Sequence, residues 1–464
     1  MKKYILALSA ILVLSFNVHA GLDDSGVVNV CTVADLDFVR ANPSGNYLQV
    51  CDIDLAGNPG FTPIGRSETV AFSGTYDGDN HTIYNATTNN EPQAGGFFGW
   101  VVGASPENKA FIKNLHLRNA NITGGWFTGG IIGYTMNADV ENVSITGTVT
   151  TNQTYGGGAV GCLNAGNMIN SWADVTLNCA NYCGGLVGSA RLGVTVANSW
   201  ADATKINGSG VYTGGLMGWA QADTVLYKTH ANANFVTDRG YIGGLVGRST
   251  GGVIIKSYAT GRVETQRLNI GDPTGGLVGE LNYDSIIHRS FADVEVVSGS
   301  QYTGGLVGYM KDSIVNRSAA WGNVTSQERQ TGGLAGILQD GSMVLNSHSH
   351  GNVSNIGPIG RSSGAGGLSS TALNYNVTIV NSYTTSHVSS TDPNSTTVGA
   401  FLGHVQGTGH SMSGCYYNLE TSGVTRTAAG VGMTTQEMHD EGNYAGWDFN
   451  KIWGMDNEGY PTLK

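Results

Sequence analysis

The sequence predicts an all-β chain wound as a right-handed parallel β-helix, a β-solenoid of about eleven rungs closed by a cap at each end. Three observations predict it. A glycine-framed hydrophobic pair recurs along the chain at nearly even spacing. Glycine supplies 70 of the 464 residues, roughly twice the usual share, and charged residues only 12%, about half of it. Stacked short units account for such a composition better than one compact core does.

The chain opens on MKKYILALSAILVLSFNVHA, with Lys2 and Lys3, an apolar run from Tyr4 to Phe16 and a small-residue exit at Val18-His19-Ala20. Residues 1–20 therefore read as a signal peptide cut after Ala20. A membrane anchor is the competing reading, but the run is short for a bilayer and no stop-transfer pattern follows. No transmembrane segment is expected further on, and the expected location is extracellular or the cell surface. The net charge of -11 argues against nucleic acid as a general partner.

Residues 21–93 read as an N-terminal cap and first rungs. CTVADLDFVRAN (Cys31 to Asn42) has the pattern of a short helix with Thr32 as N-cap, and LQVCDIDL and FSGTYDGDNHTI read as strands and a turn. Residues 94–413 carry the repeat: AGGFFG at Ala94, TGGIIG at Thr128, GGGAVG at Gly156, CGGLVG at Cys183, TGGLMG at Thr213, IGGLVG at Ile242, TGGLVG at Thr274 and Thr303, TGGLAG at Thr331, AGGLSS at Ala365 and GAFLG at Gly399. Successive copies lie 27 to 34 residues apart. A second block follows each copy, as in INSWADV (Ile169 to Val175), IKSYATGRV (Ile255 to Val263) and HRSFADV (His288 to Val294).

Both blocks are short, rich in β-branched residues and bounded by turn residues, and neither buries a face alone. Stacked as parallel strands about 4.8 Å apart they bury one another, and eleven rungs make a rod of roughly 50 Å. Glycine then has two uses: tight turning at the ends of very short strands, and room for the next rung's backbone. Propellers want longer units and leucine-rich repeats want more leucines per unit. Residues 414–464 read as the C-terminal cap. Thr434 and Glu437 stand at capping-box spacing, and Trp447, Phe449 and Trp453 supply aromatic surface to plug the solenoid's end.

The GGLVG core followed by a block such as IIKSYATGRV (Ile254 to Val263) resembles the GLUG repeat, found in bacterial surface proteins and beside the catalytic region of immunoglobulin-A-specific metallopeptidases. The flanks DIDL, TPIG, FSGTYDGDNHTI, YYNLETSG, WDFNKIW and YPTLK are similar to those of the same group. The resemblance covers nearly the whole chain beyond the leader. It implies the module and a surface role; the HExxH of the metallopeptidases does not occur, and HDEGN (His439 to Asn443) is no substitute.

Other chemistry-bearing patterns have plain alternatives. Six cysteines in an exported chain point to disulfides, with Cys31–Cys51 and Cys162 with Cys179 or Cys183 as the expected pairs. CANYC offers only half a zinc site, so no metal is expected. Gly247-Arg248-Ser249-Thr250-Gly251 matches a hydrolase elbow but follows a repeat core, the wrong context. His348 and His350 lack a third ligand. The pairs Asp52/Asp54 and Asp77/Asp79 have the makings of an acid and a base, yet fall where Asp serves turns.

Aligning the second block gives the most informative pattern. A small column runs Ser171, Ser199, Thr229, Ser257, Ser290, Ser318, Ser347, Ser382, and Cys415 takes its next step. The residue before it includes Lys228, Lys256, Arg289 and Arg317 in successive copies, among asparagines; the residue after it includes Trp172, Trp200, His230, Tyr258 and Phe291. Strand alternation puts the small column inside and both flanking columns on the outer face. Two readings are open: rung-stabilising ladders, or a binding wall with sugar faces on the rings and carboxylates on the cations. The function expected is a non-catalytic adhesin or binding scaffold for a glycan or cell-surface component, without cofactor. The alternative is a β-helix polysaccharide lyase or glycoside hydrolase acting on an acidic polysaccharide, with Lys256, Arg289 and Arg317 as its base and charge-neutralising groups.

Overall fold

A computed structural model describes residues 26–89, 93–202, 205–208, 211–238, 240–357, 364–392 and 395–464, with the side chains of 267–270 outside the description. The leader assigned to residues 1–20 lies outside the described residues. The chain is 56% strand and 5% helix and forms a parallel β-solenoid of about twelve turns.

One coil shows the plan. After Thr274-Gly275 the chain bends at Gly276, runs through Val278–Asn282 and Ile286–His288, turns a corner at Arg289, and enters Phe291–Gly304, whose end begins the next coil. Each part pairs in parallel with its counterpart one coil on: Thr274 with Thr303, Val278 with Val307, Ile287 with Val315, Ala292 with Ala320. The strands after the glycine corner form a sheet of 11, from Phe98–Val102 to Leu402–Thr408. Leu277, Val278, Ile287, Ala292 and Val296 are all buried and repeat coil after coil into one continuous core. The sequence motif numbers eleven copies because the first coil spells its corner differently: Ile64 of Thr-Pro-Ile-Gly bridges in parallel to Phe98 of the first Gly-Gly coil.

The paired glycines have distinct duties. A Cβ on Gly275 would lie 2.0 Å from the carbonyl oxygen of Val278 in its own bend, whereas one on Gly276 would lie 2.0 Å from the carbonyl oxygen of Gly305 in the next coil. Gly244 and Gly305 repeat the second relation at 2.1 Å, to Gly276 and Gly333. Close approach demands glycine here. The next two residues complete the joint, since the amides of Leu277 and Val278 both donate to the carbonyl of Leu306, each at 2.9 Å.

The small column lies inside and is a hydrogen-bonded ladder. Ser290 donates its hydroxyl to the carbonyl of His288 and accepts from the amide of Ser257, while its own amide donates to the hydroxyl of Ser318. The same amide-to-hydroxyl step joins Ser171 to Ser199, Thr229 to Ser257, Ser318 to Ser347 and Ser347 to Ser382. Cys415 continues it, buried, its thiol directed at the carbonyls of Ile379 and Ser413.

At the front, Val33–Ala41 is a helix with a Thr32–Asp35 capping box, its Leu36 and Val39 buried. The back differs from the expected aromatic plug. The chain after Ser422 closes the last coil instead: Ala400 and Ala428 exchange amide bonds with Arg426 and Leu402, and Val424 and Ala429 pack on the core. Trp447 and Trp453 lie on the outer wall, because Tyr383 and Tyr416 of the column after the Ser ladder leave an aromatic face there to cover. Under them sit His348 and His350. His350 binds Thr385 Oγ1 at 2.8 Å and the Tyr383 hydroxyl at 3.0 Å, and Tyr383 donates to the carbonyl of Pro461.

Two outcomes are expected. Gly276→Val and Gly305→Val, made together, place β-branched carbons on carbonyl oxygens, and a loss of about 3 kcal/mol or more in urea unfolding checks this. Burial holds His348 well below the usual histidine range and His350 down to about 4, with the Asp456 carboxylate opposing the latter. Between pH about 6.5 and 4 the wall histidines, once uncovered, bind protons that they refuse beneath the docked segment, so docking is strongest above pH 6.5 and weakens as pH falls. Tryptophan emission of the outer-wall segment should shift to the red across that window, and His350→Gln should flatten the response.

Candidate functional site

The corner before the Ser ladder is built from a left-handed residue in every coil. Asn142, Asn170 and Asn198 have φ of 50°, 53° and 48°; Lys228, Lys256, Arg289 and Arg317 follow at 52°, 50°, 51° and 51°; Asn346 and Asn381 resume. This corrects the expected alternation, because the column belongs to a turn between strands and not to the strand face that carries the rings. Asparagine tolerates the left-handed region through local hydrogen bonding, while other side chains lose roughly 1 kcal/mol or more there. Four successive coils thus carry cations where asparagine is the locally cheaper residue.

Lys228, Lys256 and Arg289 are exposed and Arg317 half-buried. Among the described residues none of the four makes an ion pair, whereas Lys109, Lys113, Arg248, Arg262 and Lys311 all do. The ammonium groups of Lys228 and Lys256 lie 5.4 and 5.9 Å from the Tyr227 ring. Burial, then the charge of Arg289, holds the Arg317 guanidinium below its usual range, with Asp448 opposing. His288 sits among these cations: burial, then Arg289, Arg317 and Lys256, push it down to about 4, so it is neutral near pH 7.

The aromatic column beside this corner does face outward, and its rings stack on one another. Trp172, Trp200, His230, Tyr258 and Phe291 follow at centroid distances of 6.2, 5.7, 4.8 and 5.0 Å, with planes within 10° of parallel. Each inner ring's faces are taken by its neighbours, and Arg118 covers the Trp172 end at 4.9 Å. The expected stacking of sugars on these faces is therefore corrected: the column offers ring edges. Ala319 ends the stack, and in the following coils His348 and Tyr383 lie beneath the C-terminal segment. The open shoulder spans the coils from Trp172 to Arg317.

A second aromatic surface escaped the sequence reading. The residue just before six of the glycine corners is aromatic: Phe127, Tyr155, Tyr182, Tyr212, Tyr241 and, after Pro273, Tyr302. The first five follow one another at 5.1, 4.6, 5.1 and 4.9 Å, the first two pairs stacked and the last two tilted. The glycine bend brings this column against outward residues of the next wall: Trp100 meets Phe127, Trp219 meets Tyr182 and Tyr212, and Tyr302 meets Tyr309. Arg248 lies over Tyr212, Trp219 and Tyr241 and pairs with the buried Glu280 at 3.0 Å. The signal was the aromatic one residue upstream of the repeat as it was delimited.

The remaining candidates resolve into structure. Cys31 pairs with Cys51, and Cys179 with Cys183. Cys162 is free and buried, correcting its expected pairing: it aligns with Tyr134 and Ser189 on the wall after the glycine corner, away from Cys183 on the wall before it. Ser249 of the elbow match is buried and bonded to Ser285, facing inward. Asp54 receives the amides of Ala56 and Asn85, and Asp77 those of Asp79 and Asn114, which is turn duty. Lys205, Asn207, Phe235 and Arg262 line a shallow open cleft, in which Arg262 is taken by Glu264 and Glu295.

Among curated proteins, halomucin of Haloquadratum walsbyi is 33% identical over 348 residues, which is 62% of this chain and 4% of halomucin. A protein of Evansella cellulosilytica named as a candidate Gly-rich membrane protein is 31% identical over 100 residues, 21% of this chain and 11% of that one. The chain thus spans a small part of the length of either relative. Among solved structures, a Bacteroides ovatus protein described as a candidate immunoglobulin A1 protease covers 95% of this chain and 93% of its own at 15% identity and a TM-score of 0.31. An IgA1 protease covers 62% of this chain and 21% of its own at 17% identity and a TM-score of 0.35. The GLUG motif matches residues 124–150 and 238–264, and each match runs from a glycine corner through the following left-handed corner. The matched unit is about one turn of the solenoid, and the chain carries the GLUG motif at these two places.

Proposed function

We propose that this protein is a non-catalytic rod displayed outside the cell, an adhesin or binding scaffold whose shoulder grips a linear anionic glycan. The observation that carries the reading is the run of Lys228, Lys256, Arg289 and Arg317 on four successive coils, none of them in an ion pair among the described residues although the Asp448 carboxylate acts on Arg317, in a chain of net charge -11. A column with one cation per coil, about 4.8 Å apart, suits a polymer bearing anionic groups along its length. The leader pattern of residues 1–20, the Cys31–Cys51 disulfide and the match to a protein named for a membrane support the location. No helix among the described residues is long and apolar enough to cross a membrane.

The alternative, cleavage of an acidic polysaccharide at the same cations, calls for a base facing the polymer. His288 is the nearest neutral candidate, but it bonds the Asn316 backbone and its Nδ1 is buried without a partner. Binding repeated along the rod fits the pattern better than one reacting centre.

Lys256→Asn, Arg289→Asn and Arg317→Asn together remove three charges while supplying the residue the corner favours. Unfolding stability should stay within about 0.5 kcal/mol or rise. Affinity for polygalacturonate, measured by titration calorimetry at low salt, should fall at least tenfold, and wild-type affinity should weaken as salt is raised. Unchanged affinity in the triple variant removes the shoulder's binding role; unsaturated uronate released from polygalacturonate by the wild type removes the non-catalytic reading.

A further inference from the structure

We infer that the aromatic seam at the glycine corner is a second binding site, independent of the cationic shoulder, that takes a neutral, extended β-1,4-linked glycan along the rod. The seam is the meeting line of the column Phe127, Tyr155, Tyr182, Tyr212, Tyr241 with the outward residues of the following wall; the column is half-buried, as are Tyr134, Trp219 and Arg248 of the wall, while Trp100, Cys162, Ser189 and Glu280 are buried.

Its chemistry differs from the shoulder's. Fixed charge nearly cancels: Arg248 pairs with Glu280, and Arg191, spent on Asn164 Oδ1 at 2.6 Å and Cys162 Sγ at 3.2 Å, is balanced by Asp272 beside Tyr241. A polyanion gains little there. Ring-on-ring contacts, stacked from Phe127 to Tyr182 and tilted by 36° and 43° from Tyr182 to Tyr241, occupy much of the ring faces. Among the described residues the hydroxyls of Tyr155, Tyr182 and Tyr241 have no protein partner, while that of Tyr212 is held by Arg248. The result is a row of donor-acceptor groups on an apolar bed, the combination that orients a hydroxylated ligand.

Geometry sets the ligand's form. The rings repeat at 4.6 to 5.1 Å, close to the strand spacing of ~4.8 Å. A pyranose in an extended β-1,4 chain advances by about one such step, so each coil presents one phenol edge to each sugar; helical α-linked chains curve away from a straight row. A second observation points to a ligand. Trp100, at the front of the seam against Phe127 and Tyr134, is 8% exposed, and its indole N–H has no acceptor. Buried indole N–H groups ordinarily find one; this nitrogen is itself out of reach of the surface, so a sugar hydroxyl laid along the seam supplies the acceptor once the indole turns outward.

The test compares two probes and two multiple variants. Tyr155→Phe, Tyr182→Phe and Tyr241→Phe together delete three hydroxyls and keep every ring, so circular dichroism and melting should match the wild type. Cellohexaose should bind the wild type and bind this variant at least tenfold more weakly, with polygalacturonate binding unchanged. Lys256→Asn, Arg289→Asn and Arg317→Asn together should leave cellohexaose binding as it was. Trp100→Phe, which removes only the orphan donor and some ring area, should weaken cellohexaose several-fold. No binding of cellohexaose to the wild type, or equal binding to the triple Phe variant, overturns the inference. Loss of cellohexaose binding on removing the shoulder's cations also overturns it, because the neutral glycan would then lie on the shoulder.

Discussion

The fold depends on one close approach: the carbonyl oxygen of each coil's second corner glycine occupies the place where the preceding coil would otherwise carry a Cβ. A contact this tight cannot slide. It fixes the vertical step between coils and their register together, since a shift of one residue would bring a side chain onto that oxygen. The double donation of Leu277 and Val278 to Leu306 and the Ser ladder on the opposite side then close on coils already held in line. The glycines lose entropy on ordering, and what offsets it is spread over the rod as aligned hydrogen bonds and the burial of the same apolar pair in every coil.

Inside and outside obey different rules as a result. The inward column at the left-handed corner is restricted to serine and threonine, and Cys415, which continues it, keeps their small size and their bond to a carbonyl two residues back. Outward positions answer only to their neighbours above and below, so columns drift slowly from Asn to Lys to Arg, or from Trp to His to Tyr to Phe, without disturbing the core. Two such columns converge with others into surfaces: a charged shoulder at the left-handed corner and a nearly neutral aromatic seam at the glycine corner.

Most of this was legible in the sequence. Ten glycine pairs, the Gly399-Ala400 that follows them and a buried serine column announce a stacked, in-register architecture, and Thr32 and Thr434 announce their helices through spacing alone. What stayed hidden depends on backbone curvature. Alternation along a strand places Lys256 and Tyr258 on one face, but Lys256 has a φ of 50° and stands on a turn. The tyrosine seam arises because a bend brings positions seven residues apart together, as in Tyr212 and Trp219, which no period of two or 3.6 reports. Trp447 and Trp453 have the composition of an end plug; that they cover a wall instead follows from Tyr383 and Tyr416 lying uncovered there, a fact of three-dimensional neighbourhood. Cys162 was misassigned for the same reason, because closeness in sequence says nothing about which wall a residue occupies.

Ala400 stands in the last corner where every earlier Gly-Gly coil has glycine, and its carbonyl still takes the close-approach place, since a Cβ on Gly367 would lie 2.1 Å from its oxygen. Its own methyl group points where a further coil's carbonyl would have to come. A glycine-bearing coil copied between two others would meet carbonyls where it expects them. A coil stacked directly on this one would meet the methyl first, so it would need glycine in place of Ala400.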